Sequence, residues 1–166
     1  LMEKLQIVED KNYSSAASTN VVKQTGLNRA NGMMTSFLEM YDREITFSLV
    51  PNSYAILKDE VPAGFPGADQ SEYSSKIYEQ LKAADEKLQV VDFSKTLSEH
   101  SGEYIYYRTD HHWTTLGAYY AYEEYCRQKG LTPVALKDLE ANTVEDFYGT
   151  FYSKAKRPGQ PADTIT

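Results

Sequence analysis

Short runs of β-forming residues alternate with segments of helical period, and this alternation restricts the fold more than any other feature of the chain. Ile45-Thr46-Phe47-Ser48-Leu49-Val50 is rich in β-branched and aromatic residues and stops at Pro51. Tyr73, Ile77 and Leu81 then recur four apart, the spacing of one helix face. This helix is predicted to run to about Lys87, from a capping-box-like start at Asp69 and Glu72. Leu88-Gln89-Val90-Val91-Asp92-Phe93 reads as the next strand, and Ser94 as the cap of a short helix through His100. Strand-helix-strand units of these lengths close as right-handed crossovers, which gives a mainly parallel sheet with helices on its faces. The expected class is α/β, a three-layer α/β/α arrangement. Its strands Ile45–Val50 and Gln89–Asp92 should be parallel neighbours, with the loops at their carboxyl ends gathered on one edge.

The flanks are less regular. Residues 1–30 read as irregular or linker-like, with Leu5-Gln6-Ile7-Val8 as a short strand candidate. Met33, Met34, Phe37, Leu38 and Tyr41 predict a helix over Asn31–Arg43, with the methionines as core filler. Val61-Pro62-Ala63-Gly64-Phe65-Pro66-Gly67-Ala68 reads as a loop, either a rim or a plain connection. With 166 residues the chain suits one domain, residues 1–166, with a real core.

A net charge of −7 leaves no basic stripe to displace counterions, so nucleic acid is not an expected partner. No apolar run is long enough to span a bilayer, and no membrane insertion by this segment is expected. A single cysteine, Cys126, rules out an internal disulfide and a zinc ribbon. Tyrosine outnumbers phenylalanine by 14 to 6, which fits either amphipathic packing at the rim of a small core or a surface that stacks on sugars.

The densest chemistry lies in Tyr106-Tyr107-Arg108-Thr109-Asp110-His111-His112-Trp113-Thr114-Thr115-Leu116-Gly117. It holds two of the three histidines, an acid and the only tryptophan. It leads into a helical pattern that should end at Gly130, just after Arg127 and Lys129. A carboxylate beside an imidazole is the minimum equipment for a general base held in one orientation. The same residues also suit a purely structural role, with Asp110 favourable at a helix start and the histidines packed on Trp113. Pro51-Asn52-Ser53 sits at a strand's carboxyl end. There Asn52 is either an oxyanion donor or an Asx-turn residue, and Ser53 lacks the glycine-flanked elbow of a nucleophile.

The segment from Tyr106 to Tyr122 resembles the signature of the DHHW family, extracytoplasmic proteins of Gram-positive bacteria, over about Met33 to Tyr152. That family is similar to the SGNH hydrolases, and within them to the alginate O-acetylation proteins, whose segment reads Asp-x-His-Trp-[Ser/Thr]. By position, the resemblance implies Asp110 as the orienting acid and His112 as the general base, with His111 as the spacer. It also implies an SGNH- or flavodoxin-like fold and acyl transfer or ester hydrolysis on a cell-surface polysaccharide, with a glycan or acyl donor as partner and no cofactor. Such relatives carry their nucleophilic Ser in a later Gly-Asp-Ser or Asp-Ser block, and none occurs between Thr114 and Thr166. The chain therefore reads as an incomplete domain, inactive by itself, whose C-terminal part is missing. The alternative reading is a non-catalytic carbohydrate-binding or cell-surface scaffold module. A metal site from Asp110, His111 and His112, with or without His100, is the third; neighbouring histidines usually point apart, so no metal is expected.

Overall fold

The computed structural model describes residues 32–34, 36, 44–61, 63 and 69–166. Its elements, in chain order, are β1 (Thr46–Phe47), α1 (Ser53–Ile56), α2 (Gln70–Ala84), β2 (Gln89–Val90), α3 (Ser94–Glu99), α4 (Thr115–Lys129), β3 (Val144–Phe147), α5 (Thr150–Ala155) and β4 (Asp163–Ile165), with short 3-10 turns at Lys58–Glu60 and Leu136–Asp138. Two compact units divide them. One takes the described residues up to Phe47 and those from Glu72 to Val90; the other takes Ser48 to Ser71 and Val91 to Thr166.

In the first unit β1 and β2 pair in parallel, Thr46 opposite Gln89 and Phe47 opposite Val90, as the crossover argument predicts. The ladder is shorter than the apolar runs that announced it. The helical face of α2 holds as read, with Ile77, Tyr78 and Leu81 buried and Phe47 edge-on to Tyr78 at 6.2 Å. Asp69 caps the start of that helix by accepting the Ser71 amide at 2.9 Å, whereas Glu72 pairs with Lys76 at 2.6 Å. Its end falls at Ala84, short of Lys87, because the Asp85 side chain takes the Lys87 amide and turns the chain. Gly32–Met34 and Ser36 are helical, but Met33 is 57% exposed and fills no core. The rest of the helix expected to Arg43, the readings of 1–30 and most of the Pro/Gly loop lie outside the described residues.

The second unit is built on Ile56, Val91, Phe93, Leu97, Ile105, Tyr106 and Ala121, with Trp113 and Leu116 packed against them. Leu97 and Ile105 are fully buried, each worth roughly 1.5–3 kcal/mol over exposure. Asp92, not Ser94, supplies the side-chain bond at the start of α3, accepting the Ser94 amide at 2.9 Å. Helix α4 begins and ends as its residues dictate. The Thr114 hydroxyl accepts the Gly117 amide at 3.2 Å, and Gly130 takes the left-handed cap at φ 67°. A side chain at Gly117 would put its Cβ 2.5 Å from the Ile105 carbonyl, so this glycine lets the first turn lie against the preceding segment.

The stretch Asp163–Ile165 is a strand antiparallel to β3, with Phe147 opposite Asp163 and Val144 opposite Ile165. The register shifts between those pairs, where Asp146 adopts φ 58°. The class is mixed α/β as expected. Among the described residues, however, the strands form one parallel and one antiparallel two-stranded sheet rather than a single mainly parallel one.

Candidate active site

The motif occupies a tight reversal. Tyr106 and Trp113 form an antiparallel bridge, the Tyr107 amide donates to the His112 carbonyl at 3.2 Å, and the Thr114 amide donates to Ile105 at 2.9 Å. Trp113 anchors one arm against the core, 6.3 Å from the Phe93 ring. The other arm is held by the Tyr106 hydroxyl, which donates to the Pro51 carbonyl at 2.7 Å. That bond ties the residue before Asn52 to the base of the reversal.

Asp110 folds inward at the tip and is only 4% exposed. Its Oδ1 accepts the His112 amide at 2.9 Å and the His112 Nδ1–H in a shorter bond, while its Oδ2 accepts the Thr150 amide at 2.7 Å. Burial works against the charge, but the Thr150 and His112 amides, the His112 ring and the Thr150 hydroxyl outweigh it. Together they hold the Asp110 carboxyl down to about 2. An ionised carboxylate only accepts, so the His112 Nδ1 carries a proton, and in the neutral ring Nε2 keeps its lone pair. The His112 side chain is 63% exposed, so that lone pair is within reach of an incoming hydroxyl.

His111 does not turn away as a mere spacer would. Its ring lies 3.8 Å from the His112 ring at 38°, and its Nδ1 is 2.7 Å from the Thr150 hydroxyl. Asp110, His111 and His112 offer ligand atoms within 4.8 Å of one another, so a metal is sterically conceivable there. The oxygens of Asp110 are already engaged by three hydrogen bonds that ligation would have to break. His100 is not part of this group: it stacks on Tyr120 at 3.6 Å and meets Glu103 at 2.7 Å.

Asn52 holds the N-cap position of α1, but its side chain does not cap the helix, and its amide donates to the Gln70 side chain at 2.9 Å. Ser53 is the first helical residue.

The sequence reading missed the supports. Gly149 lies so close to Asp110 that an added Cβ would sit 2.2 Å from the Asp110 Cβ and 2.4 Å from Oδ2. Its φ of −89° suits any residue, so the approach alone requires glycine. Thr109 is buried, its carbonyl accepting the Phe151 and Tyr152 amides and its hydroxyl accepting the Gly149 amide at 3.0 Å. The Gly-Thr pair within Asp146–Tyr152 was the only available signal, and nothing local marked Asp163.

A buried acid, a neighbouring imidazole bonded to it through one ring nitrogen, and a backbone that fixes both form a carboxylate–imidazole pair, the arrangement that general acid–base chemistry requires. The profile of the DHHW protein family matches residues 9–161, and the chain belongs to that family. A DHHW family protein from Eubacterium siraeum has a similar structure, with a TM-score of 0.71, 27% identity, and coverage of 84% of this chain and 46% of that one. The O-acetyltransferase domain of Pseudomonas putida AlgJ superposes with a TM-score of 0.64 at 16% identity, covering 94% of this chain and 59% of that one. Bacillus cereus PatB1, solved with a sulfonyl adduct, does so with a TM-score of 0.59 at 17% identity, covering 82% and 46%. The two latter likenesses show the fold. The chain spans about half the length of these structures. No curated protein sequence matches it.

Proposed function

We propose that this chain carries the acid–base pair of an extracytoplasmic SGNH-like acyl esterase or O-acetyltransferase acting on a cell-surface polysaccharide. Asp110 orients His112 and stabilises its charged form, and His112 Nε2 takes the proton of a serine during acyl transfer. The observation that carries this reading is the bond from His112 Nδ1 to a carboxylate held ionised by backbone amides. It leaves the opposite ring nitrogen unused by Asp110, on a side chain that is 63% exposed. The fold shared with an O-acetyltransferase domain supports the reaction class, and PatB1 as a sulfonyl adduct supports covalent chemistry in this fold. In the proposal Asn52 is an oxyanion donor, and the tether from Tyr106 to Pro51 is the feature in its favour. The two-stranded parallel pair belongs to a larger three-layer sheet in a single SGNH-like domain, and the nucleophile comes from a serine that these 166 residues do not supply. Extracytoplasmic placement is part of the same proposal. Among the described residues no helix is long and apolar enough to cross a membrane.

The test is labelling of the complete gene product by a fluorophosphonate probe, in wild type, Asp110→Asn and His112→Ala, with equal folding checked by circular dichroism. Labelling should be lost in both variants. The 166-residue chain alone should turn over aryl acetates no faster than its His112→Ala form. Full labelling of His112→Ala would refute the assignment, and glycan binding with no labelling at all would favour a non-catalytic module.

A further inference from the structure

Asp163 is a second buried carboxylate in this unit, 1% exposed, and its hydrogen bonds come from amides and hydroxyls. Its Oδ1 accepts the Arg108 amide at 2.9 Å and the Tyr104 hydroxyl in a shorter bond; its Oδ2 accepts the Thr109 amide at 2.7 Å and the Thr109 hydroxyl at 2.5 Å. A buried charge is costly unless its lone pairs are filled, and here all four contacts donate. Two of them are the successive amides that immediately precede Asp110. The Thr109 hydroxyl donates to Asp163 and accepts from the Gly149 amide at 3.0 Å, and the next amide, Thr150, binds Asp110 at 2.7 Å. A continuous path thus runs from Asp163 through Thr109 and Gly149–Thr150 to Asp110 and the His112 ring.

We infer that Asp163 is a positioning residue for the Asp110–His112 pair, acting through Thr109. The argument is geometric. A carboxylate two residues before an imidazole reaches its Nδ1 only if the turn is tight, and the Asp163 oxygens pin the two peptide units that enter that turn. Ordinary fold stabilisation does not require this arrangement: β4 pairs with β3 through its backbone, whereas the Asp163 side chain reaches across to the motif. The inference rests on the proposed role of the pair, but its test needs no nucleophile.

The experiment follows the His112 Nδ1–H by proton NMR, with the ring 15N pattern to read the tautomer, in the 166-residue chain. The resonance is assigned by its loss in His112→Ala. Asp163→Asn places an amide donor against backbone donors, and Thr109→Val removes the hydroxyl at nearly constant volume. Both should lose the downfield Nδ1–H signal at neutral pH while the fold remains, and Thr109→Ser should restore it. Either variant folded with that signal and tautomer unchanged overturns the inference, since a merely structural carboxylate would lower thermal stability alone. If both fail to fold, Tyr104→Phe decides. It removes one donor from Asp163 at the edge of the unit, and should shift or broaden the resonance; an unchanged signal refutes the role. Absence of probe labelling in the wild-type complete gene product, with the signal present in the wild type and lost in both variants, would instead count against the serine chemistry and leave the positioning role standing.

Discussion

Replacing Gly149 by alanine adds a single methyl where the chain leaves no room for one. The new Cβ would lie 2.2 Å from the Asp110 Cβ, 2.4 Å from Oδ2 and 2.7 Å from Cγ, all well inside carbon contact distance. At φ −89° and ψ −161° alanine is unstrained, so the clash is the whole backbone-independent cost. Relief requires moving Asp110 and the 149–150 segment apart by roughly 1.3–1.8 Å, given the usual 3.5–4 Å carbon separation. Overpacking of this kind costs about 1–3 kcal/mol. The same movement stretches the 2.7 Å bond from the Thr150 amide to Oδ2. A hydrogen bond to a charged group is worth about 1.5–3 kcal/mol, part of which is lost. A total near 3 kcal/mol corresponds to a fall in Tm of roughly 6–12 °C for a chain of this size. Differential scanning calorimetry measures it, and a double-mutant cycle isolates the cause. In an Asp110→Gly background the methyl meets none of those three atoms, so Gly149→Ala should cost at least about 1.5 kcal/mol less there. A Tm within about 2 °C of wild type, or strict additivity in the cycle, would show that the close approach does not hold Asp110 in place.

Two further outcomes follow from the same geometry. The Asp110 carboxyl sits at about 2 in the folded chain against an ordinary 3.8, so its contribution is complete above pH 4 and is lost as pH falls through 2. That contribution changes by about 2 kcal/mol between pH 6 and pH 2, and the stability difference between those pH values should shrink by that amount in Asp110→Asn, as read by urea denaturation. An equal difference in the variant would place the acid sensitivity elsewhere, with Glu124, also held at about 2 by the Arg127 guanidinium against its burial, as the first place to look. Purified protein dialysed against zinc should retain well under one ion per chain by mass spectrometry, because ligation would break the bonds already on Asp110. Stoichiometric retention that His111→Ala abolishes would reverse that view.

Local chemistry decided much of what can be read here without a structure. Thr114 and Gly130 bracket α4 because a hydroxyl cap and a left-handed glycine act within one turn of themselves. Ile77 and Leu81 face inward because helical period is a local property. The Asp110–His112 contact spans two residues, and so the sequence could announce it. Tertiary structure alone decided what holds that contact in place. Gly149 and Thr150 reach Asp110 from 39 and 40 positions away, and Asp163 reaches Thr109 from 54, separations over which no pattern of neighbours carries information. The antiparallel pairing of β3 with β4 is of the same kind. Val144–Phe147 shows no alternation that would mark a strand, and Asp163 became a buried carboxylate only because the folded chain brought four donors to it. His111 passed for a spacer for a similar reason: its Thr150 partner lies 39 residues on, and only folding lays its ring against His112.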